Sequence, residues 1–126
     1  MTIQTRDISV TTGRLLIRCI RPDLTDDRVR DEHEMMALGL RLGRAVDETV
    51  VLLDPAALWP LSTIRLALRR TRANGVIVPD LRHVEGIDDA IRLEAELITT
   101  EGEQVLIQAR SRVEVTGLGI NTGRSA

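Results

Sequence analysis

Three carboxylates follow predicted strands and so could gather at one edge of a sheet. Asp23, Asp54 and Asp80 each come after a short run rich in Val, Ile and Leu. The carboxyl ends of parallel strands share one edge, and carboxylate oxygens there can bind Mg²⁺. Each aspartate also adjoins a proline, and such pairs are common in turns. We favour the turn role and expect no metal and no other cofactor.

The chain has two histidines. His83 lies near Asp80 and Glu85 in the loop after the third predicted strand, where a ligand or acid–base role competes with a local hydrogen bond. We favour the local bond. His33 has Ala37, not a second histidine, four residues on, so a solvated helix face is the better interpretation than a metal site.

The sequence has no clear motif for a catalytic nucleophile or for a phosphate-binding loop. The single cysteine, Cys19, lies inside an apolar run, where burial would raise its pKa and leave it inert. The chain contains neither a Gly-x-Ser-x-Gly turn nor a Gly-rich loop after a strand. These absences exclude the common hydrolase, dinucleotide and P-loop sites.

The elements that must position these residues alternate along the chain. Short β-branched runs predict strands at 14–20, 50–53, 76–78 and 104–109, and a further edge strand at 113–115. Helical spacing predicts helices over 25–42, 61–73 and 87–98, with Thr25 as the first N-cap. This order predicts a three-layer α/β fold: a mostly parallel, four- to five-stranded sheet with helices on both faces and a flavodoxin-like strand order 2-1-3-4.

The first helix carries apolar residues at three- and four-residue spacing. Val29, Met36 and Leu40 predict its buried face. Three further apolar residues widen that face: Met35, Leu38 and Leu42.

The 126 residues fit one domain. We expect a lead-in at 1–13, a single domain at 14–116 and a flexible tail at 117–126. With one Trp, no Phe and no Tyr, the core must consist of branched aliphatic side chains. No stretch is long and apolar enough for a membrane span, and the first residues lack a signal-peptide core. We therefore expect a cytoplasmic protein without membrane contact.

Two features could form a binding surface. Arg65, Arg69, Arg70 and Arg72, together with Arg82, could make a basic ridge, although a solvated helix face is the favoured interpretation at a net charge of −2. Trp59 lies in a loop, where packing on the core is favoured over an exposed partner surface.

From Arg14 to about Ala109, the pattern resembles the catalytic domain of the serine recombinases, the resolvase/invertase family. The first strand of that family ends in Tyr-x-Arg-Val-Ser, and its Ser attacks DNA. The matching residues here run from Leu16 to Ile20: Arg18 stands at the arginine and Ile20 at the nucleophile.

The likeness continues along the chain. Asp54 ends the second strand, and Trp59 precedes Pro60 where the family has Arg-Pro. In the family's Leu-Asp-Arg-Leu-x-Arg motif, His83 and Gly86 replace the two arginines. Phosphoryl transfer through a serine ester needs a hydroxyl nucleophile and cations on the phosphate. The resemblance therefore implies a fold without catalysis.

We expect a non-catalytic, recombinase-like domain that acts as a protein-binding or regulatory module, through a protein partner or as a homodimer. Two alternatives remain: a DNA-associated accessory protein with an Arg-rich helix face, and an enzyme of another class using the three aspartates and His83. The candidate binding surface comprises Arg18, Trp59, Arg65, Arg69, Arg70, Arg72, Arg82 and His83.

Overall fold

The structure is a computed structural model, and it describes residues 14–108. Its five strands are β1 (Leu15–Ile20), β2 (Ala45–Leu52), β3 (Gly75–Val78), β4 (Glu96–Thr99) and β5 (Gln104–Leu106). Its α-helices are α1 (Arg28–Arg41), α2 (Pro60–Thr71) and α3 (Asp88–Arg92). The predicted lead-in, the predicted tail and the predicted strand at 113–115 lie outside the described residues.

The strands form one sheet in the order β2-β1-β3-β4-β5. The first four are parallel, and β5 pairs antiparallel to β4. The chain moves outward from β1 to β2, and then back across β1 to β3 and β4. Right-handed crossovers in opposite directions place α1 on one face and α2 with α3 on the other. The predicted fold class is confirmed. The first three places of the predicted order 2-1-3-4 hold, but the strand beside β3 is β4, which was not predicted, and the predicted fourth strand at 104–109 corresponds to β5, outside β4.

Alternation along β1 separates two hydrophobic cores. Leu16 and Ile20 pack with Met35 of α1, whereas Ile17 and Cys19 belong to the core under α2 and α3. The side chains of these four β1 residues are all fully buried. A central strand with both faces covered explains the continuous apolar run in its sequence.

The buried face of α1 differs from the prediction. Met35 and Leu38 are buried, as expected of the wider stripe, but Val29 and Leu40 are 62% and 57% exposed. The predicted centre of the face was wrong because only a narrow stripe of the helix touches the sheet. A side chain added at Gly39 would meet Val46 Cγ2 at 2.5 Å, so the helix approaches β2 closely.

The start of α1 also corrects the predicted N-cap. Asp27, not Thr25, caps the helix, and its carboxylate accepts a hydrogen bond of 3.1 Å from the Arg30 N–H. The hydroxyl of Thr25 instead donates to the Asp31 carboxylate. A short 3₁₀ turn at Pro22–Leu24 separates β1 from the helix.

The predicted third helix was too long. Helix α3 ends at Arg92, and Leu97 with Ile98, which the helical spacing included, lie in β4. The predicted fourth strand at 104–109 is therefore the fifth, and it covers only Gln104–Leu106.

Strand β2 begins at Ala45, five residues before its predicted start, and it contains a bulge. Leu16 pairs with Val46, and Arg18 pairs with Val50. An advance of two residues along β1 therefore corresponds to an advance of four residues along β2. The inserted segment is Asp47–Thr49. In the part of the chain from 14 to 108, no helix has the length and apolar character that a membrane crossing would need.

Candidate functional site

At the carboxyl edge of the sheet, a crevice lies between β1 and β3, where the connections that follow the two strands pass to opposite faces. The loop after β1 leads to α1 on one face, and the loop after β3 leads to α3 on the other. In open α/β sheets, ligands bind in the crevice between two such loops. Here His83, a residue that is only 2% exposed, occupies that position.

His83 joins the two loops. Its Nδ1 accepts a hydrogen bond of 2.8 Å from the backbone N–H of Arg21, which lies 62 positions away in sequence. The predicted local bond was therefore wrong, because the ring binds the other loop and not a neighbour in its own. Because Nδ1 accepts, the proton of the neutral ring sits on Nε2. Burial lowers the pKa of His83, and the nearby Asp80 carboxylate raises it only in part. The ring is therefore neutral at pH 7.

The other charged groups of these loops pair locally. Arg82 Nε and a terminal guanidinium nitrogen each lie 3.0 Å from a carboxylate oxygen of Asp80, whose pKa this hydrogen bonding lowers. Arg21 binds Asp23 in the same two-pronged way, at 3.1 and 2.6 Å. Each of these ion pairs joins two residues that are two positions apart, so each pair stabilises its own loop.

The three aspartates do not gather around an ion. Asp54 accepts a hydrogen bond of 2.9 Å from the Ala56 N–H, in a turn of its own. Asp23 and Asp80 bind their neighbouring arginines. Across residues 14–108, no group of three or more His, Cys, Asp or Glu side chains has an arrangement that could hold a metal ion.

The cysteine and the residue at the recombinase serine position are both inside the protein. Cys19 is fully buried, and burial raises the pKa of its thiol to about 12. Ile20, at the position of the recombinase serine, is also fully buried and packs toward α1. Both side chains are therefore shielded from solvent.

Arg18, a predicted member of the binding surface, is only 8% exposed. Its terminal nitrogens donate to the main-chain oxygens of Glu48 at 3.1 Å, Glu32 at 3.4 Å and Asp47 at 3.5 Å. The guanidinium thus ties α1 to the β2 bulge. Its Nε has no hydrogen-bond partner in the described structure.

The predicted basic ridge is divided between the two ends of the sheet. Arg65 is paired with Glu94. Arg69, Arg70 and Arg72 are exposed near the end of α2 and form no ion pair with any residue from 14 to 108. Because α2 runs back toward the start of β3, these three lie at the amino edge, whereas Arg82 follows β3 at the carboxyl edge. We call Arg69, Arg70 and Arg72 the arginine triplet.

The loop between β2 and α2 presents apolar side chains to solvent. Leu58 is 80% exposed and Trp59 is 70% exposed. The favoured packing of Trp59 on the core was wrong, and the alternative of an exposed ring holds. Pro60 begins α2, as predicted. We call residues 55–60 the apolar loop.

A buried carboxylate at the amino edge was not predicted. Glu96 is 4% exposed and accepts two bonds from Arg44, at 2.9 and 2.8 Å, and one from Arg14 at 3.2 Å. Burial alone would raise the pKa of Glu96, but these arginines lower it overall. Sequence reasoning placed Glu96 in a helix and so gave no signal of this cluster, which stabilises the start of β4.

No model of a protein family matches this chain, and neither a curated protein nor a solved structure matches it. Any function must therefore be argued from the geometry of these residues.

Proposed function

We propose that this chain is a non-catalytic α/β domain of the cytoplasm that binds another protein through the apolar loop. The single observation that carries the proposal is the exposure of Leu58 and Trp59, at 80% and 70%. We retain the recombinase likeness as part of the proposal. Its support is positional: Arg18 lies in β1, Asp54 follows β2 and Pro60 begins α2.

The chemistry of the loop favours a protein partner. Removing a Leu and a Trp side chain from water is worth about 1.5–3 kcal/mol each. Tryptophan is also among the residues that dominate binding energy at protein interfaces. Pro55 and Pro60 restrict the backbone on both sides of these residues, which lowers the entropy lost on binding.

Separate observations support the proposal that the domain is non-catalytic. The side chains at the recombinase serine position and the neighbouring cysteine, Ile20 and Cys19, are fully buried. The Arg82 and Arg21 guanidinium groups, which could contact a phosphate, are each bound to an aspartate. A hydroxyl nucleophile with free cations is what phosphoryl transfer would require.

Site-specific photocrosslinking tests the proposal. A photoreactive amino acid replaces Trp59 in one variant and Leu93 in the other. Leu93 directly follows α3, is 59% exposed and serves as the matched control. We expect discrete crosslinked protein adducts from position 59 only. An adduct with the mass of two chains would identify a homodimer. An adduct of another defined mass would identify a different partner. Equal patterns from both positions would refute the proposal.

A second function is favoured by a different observation, the arginine triplet. Three exposed cations without ion-pair partners in the described structure could bind the phosphates of DNA, which makes this chain a candidate DNA-associated accessory protein. Fluorescence anisotropy with mixed-sequence duplex DNA over a salt series tests it. We expect Arg69→Glu/Arg70→Glu to abolish salt-sensitive binding. The control Arg28→Glu/Arg41→Glu makes the same charge change at arginines that are paired with glutamates. Equal loss in both variants would remove the proposed mechanism.

A further inference from the structure

Helix α1 carries a second row of apolar side chains on the side that faces away from the sheet. Met35 and Leu38 form its buried side. On the opposite side, Val29 and Leu40 are 62% and 57% exposed. Three- and four-residue spacing joins these two in one row, and we call that row the outer stripe: Val29, His33, Met36, Ala37 and Leu40. A helix that is apolar on two sides has one side left for a partner.

Helix α2 likewise presents an exposed side opposite to the core. Its buried residues are Ile64, Ala67 and Leu68, whereas Leu66 is 57% exposed. The apolar loop leads into the first turn of this helix, and the arginine triplet lies at its other end. We call Leu66, the apolar loop and the arginine triplet the α2 surface. This surface is therefore apolar at one end and basic at the other.

The charge of α1 changes along its length in the complementary sense. Residues 26–34 contain five carboxylates and two arginines, so with His33 neutral they carry an excess of three negative charges. Residues 35–40 contain no charged residue, and the arginine triplet contributes three positive charges. Helix α2 itself contains no acidic residue. The first half of the outer stripe therefore lies among negative charges, and the second half does not.

Local contacts leave this negative charge in place. Asp31 accepts from the hydroxyl of Thr25, which is a neutral donor. The guanidinium of Arg82 acts electrostatically on Asp26, but it is bound to Asp80. A basic partner surface is therefore favoured beside the first half of α1.

An antiparallel contact between α1 and the α2 surface matches charge and apolar character together. The acidic half of α1 then lies beside the arginine triplet, and Leu40 lies beside Leu58 and Trp59. In a parallel contact, the acidic half would lie beside the apolar loop, and the arginine triplet beside Arg41. Because α1 and α2 cover opposite faces of the sheet, they can make this contact only between two copies. We propose that α1 of one copy docks antiparallel on the α2 surface of a second copy.

This inference rests on the proposed function, because it names a second copy as the partner of the apolar loop. The contact joins two different surfaces, so each pair of copies keeps one free surface of each kind and association continues from copy to copy. Contacts between like surfaces fit less well. Two α2 surfaces would supply arginines without any carboxylate of α2. Two outer stripes in antiparallel contact would place the acidic half of each beside the uncharged half of the other.

Sedimentation equilibrium of the full chain tests the proposal first. We expect the average mass to rise with concentration beyond that of two chains, because head-to-tail association does not stop at a dimer. Added salt should weaken the association, since it screens the attraction between the acidic half of α1 and the arginine triplet. A single-chain mass at every concentration up to about 1 mM, or a mass that stops at two chains, would overturn the proposal.

Two variants that each damage one surface provide a sharper test. Val29→Ser/Leu40→Ser changes the outer stripe, and Arg69→Glu/Arg70→Glu changes the α2 surface. All four side chains are exposed, so both variants should keep the circular dichroism spectrum of the wild type. Each variant alone should associate about tenfold more weakly than the wild type.

An equimolar mixture of the two variants should form a complex of two chains and no larger species. The intact α1 of the Arg69→Glu/Arg70→Glu chain docks on the intact α2 surface of the other chain, and the two damaged surfaces stay outside the complex. A dimer that forms as strongly from either variant alone would show that like surfaces pair, and it would overturn the proposal. A mixture that associates no better than its components would overturn it as well.

The control variant is Ile107→Ser. Ile107 is 69% exposed and follows β5, at the other end of the strand order from β2. This variant should associate as the wild type does. Equal weakening in the control would indicate non-specific apolar association and overturn the proposal. If the full chain stays single while its DNA binding depends on Arg69 and Arg70, the arginine triplet serves DNA and the proposal fails.

The two proposals can fail separately. If the two variants complement each other but crosslinking from positions 59 and 93 is equal, the helix surfaces associate without the apolar loop and the proposed function fails alone. If crosslinking from position 59 gives an adduct of another defined mass while the chain does not associate with itself, the apolar loop binds a different protein. In that case the docking of α1 on a second copy fails alone.

Discussion

A terminal nitrogen of Arg18 lies 3.1 Å from the main-chain oxygen of Glu48, so a side chain of the central strand binds the bulge of the neighbouring strand. The same guanidinium also reaches the main-chain oxygens of Asp47 and Glu32. This contact explains how a charged side chain is retained on a face otherwise lined by Leu16 and Ile20. In this protein, the arginine at the position of the recombinase arginine holds main-chain oxygens of α1 and β2 in place.

Replacing Arg18 should therefore reduce stability. Arg18→Met keeps the length of the stem but leaves the carbonyls of Asp47 and Glu48 without this donor, and we expect a loss of about 2 kcal/mol in the free energy of unfolding. Urea denaturation followed by circular dichroism measures it. The control Arg69→Met, at an exposed site, should change stability by no more than about 0.5 kcal/mol. If both variants unfold at the same urea concentration, the bulge does not depend on Arg18.

His83 should make stability depend on pH. Burial lowers its pKa in the folded protein below the ordinary value of 6.5, so the unfolded chain binds the proton more readily. The stabilising contribution is complete above about pH 6.5 and is lost progressively as the pH falls toward the lower folded pKa. Protonation of Nδ1 would also break the bond from the Arg21 N–H.

The pH dependence can be measured from the free energy of unfolding between pH 8 and 5.5. His83→Asn, which has no titrating ring, should flatten the decline. His33→Gln should keep the wild-type slope because His33 is exposed. A wild-type slope in His83→Asn would show that another group causes the decline.

Glu96 should contribute at neutral pH and lose its effect in acid. The arginines hold its folded pKa below the ordinary value of 4.5, so its contribution is present above that value and is lost as the pH falls through the folded pKa. Glu96→Gln should cost about 2 kcal/mol at pH 7, because it leaves Arg44 without its buried partner, and the difference from wild type should shrink near pH 3.

The control for this prediction is Glu94→Gln. Glu94 is 38% exposed and pairs with Arg65, and such a surface pair contributes about 0–1 kcal/mol. A cost for Glu96→Gln that is no larger than that of Glu94→Gln would contradict the importance of the cluster.

Trp59 should be a poor probe of unfolding. It is the only aromatic residue of the chain, and its ring is 70% exposed. The emission maximum of the folded protein should be that of a hydrated indole, and it should barely move on unfolding while circular dichroism reports a full transition. A short-wavelength emission that shifts strongly in urea would mean that the ring is covered in solution, which a homodimer at the apolar loop would produce in a concentration-dependent way.

Ile20→Ser should not create a recombinase. Position 20 is fully buried, so the variant loses apolar contacts and buries a hydroxyl, at a cost of about 3–4 kcal/mol. Ile20→Val, the milder control, should cost about 1 kcal/mol. Supercoiled DNA should remain intact with either variant; nicking by Ile20→Ser above the Ile20→Val background would contradict the non-catalytic proposal.

Several elements could be predicted because local patterns and packing agree. The apolar run before Arg21 and the Pro60 start of α2 carry signals within a few residues. In contrast, β4 was missed because Ile87, Ile91 and Ile98 also fit helical spacing. The partners that permit Glu96 inside a sheet, Arg14 and Arg44, are distant in sequence.

The candidate site was predicted only in part. Its location after β3 follows from the alternation of strands and helices, and His83 lies there. The contact that joins the two loops, from the Arg21 N–H to His83 Nδ1, spans 62 positions of sequence, and no spacing rule predicts it. The exposure of Trp59 depends on how far the loop extends from the core, which a single ring in the sequence does not reveal.

The bulge that Arg18 holds has a consequence for how copies of this protein meet. Among the strands of residues 14–108, β2 is an outer one and has eight residues. A regular outer strand is a template on which another chain can add and begin aggregation. The extra residues at Asp47–Thr49 interrupt its row of backbone donors and acceptors and place two acids there. An irregular edge of this kind disfavours the addition of a further strand, so we expect copies of this protein to meet through surfaces other than strand pairing.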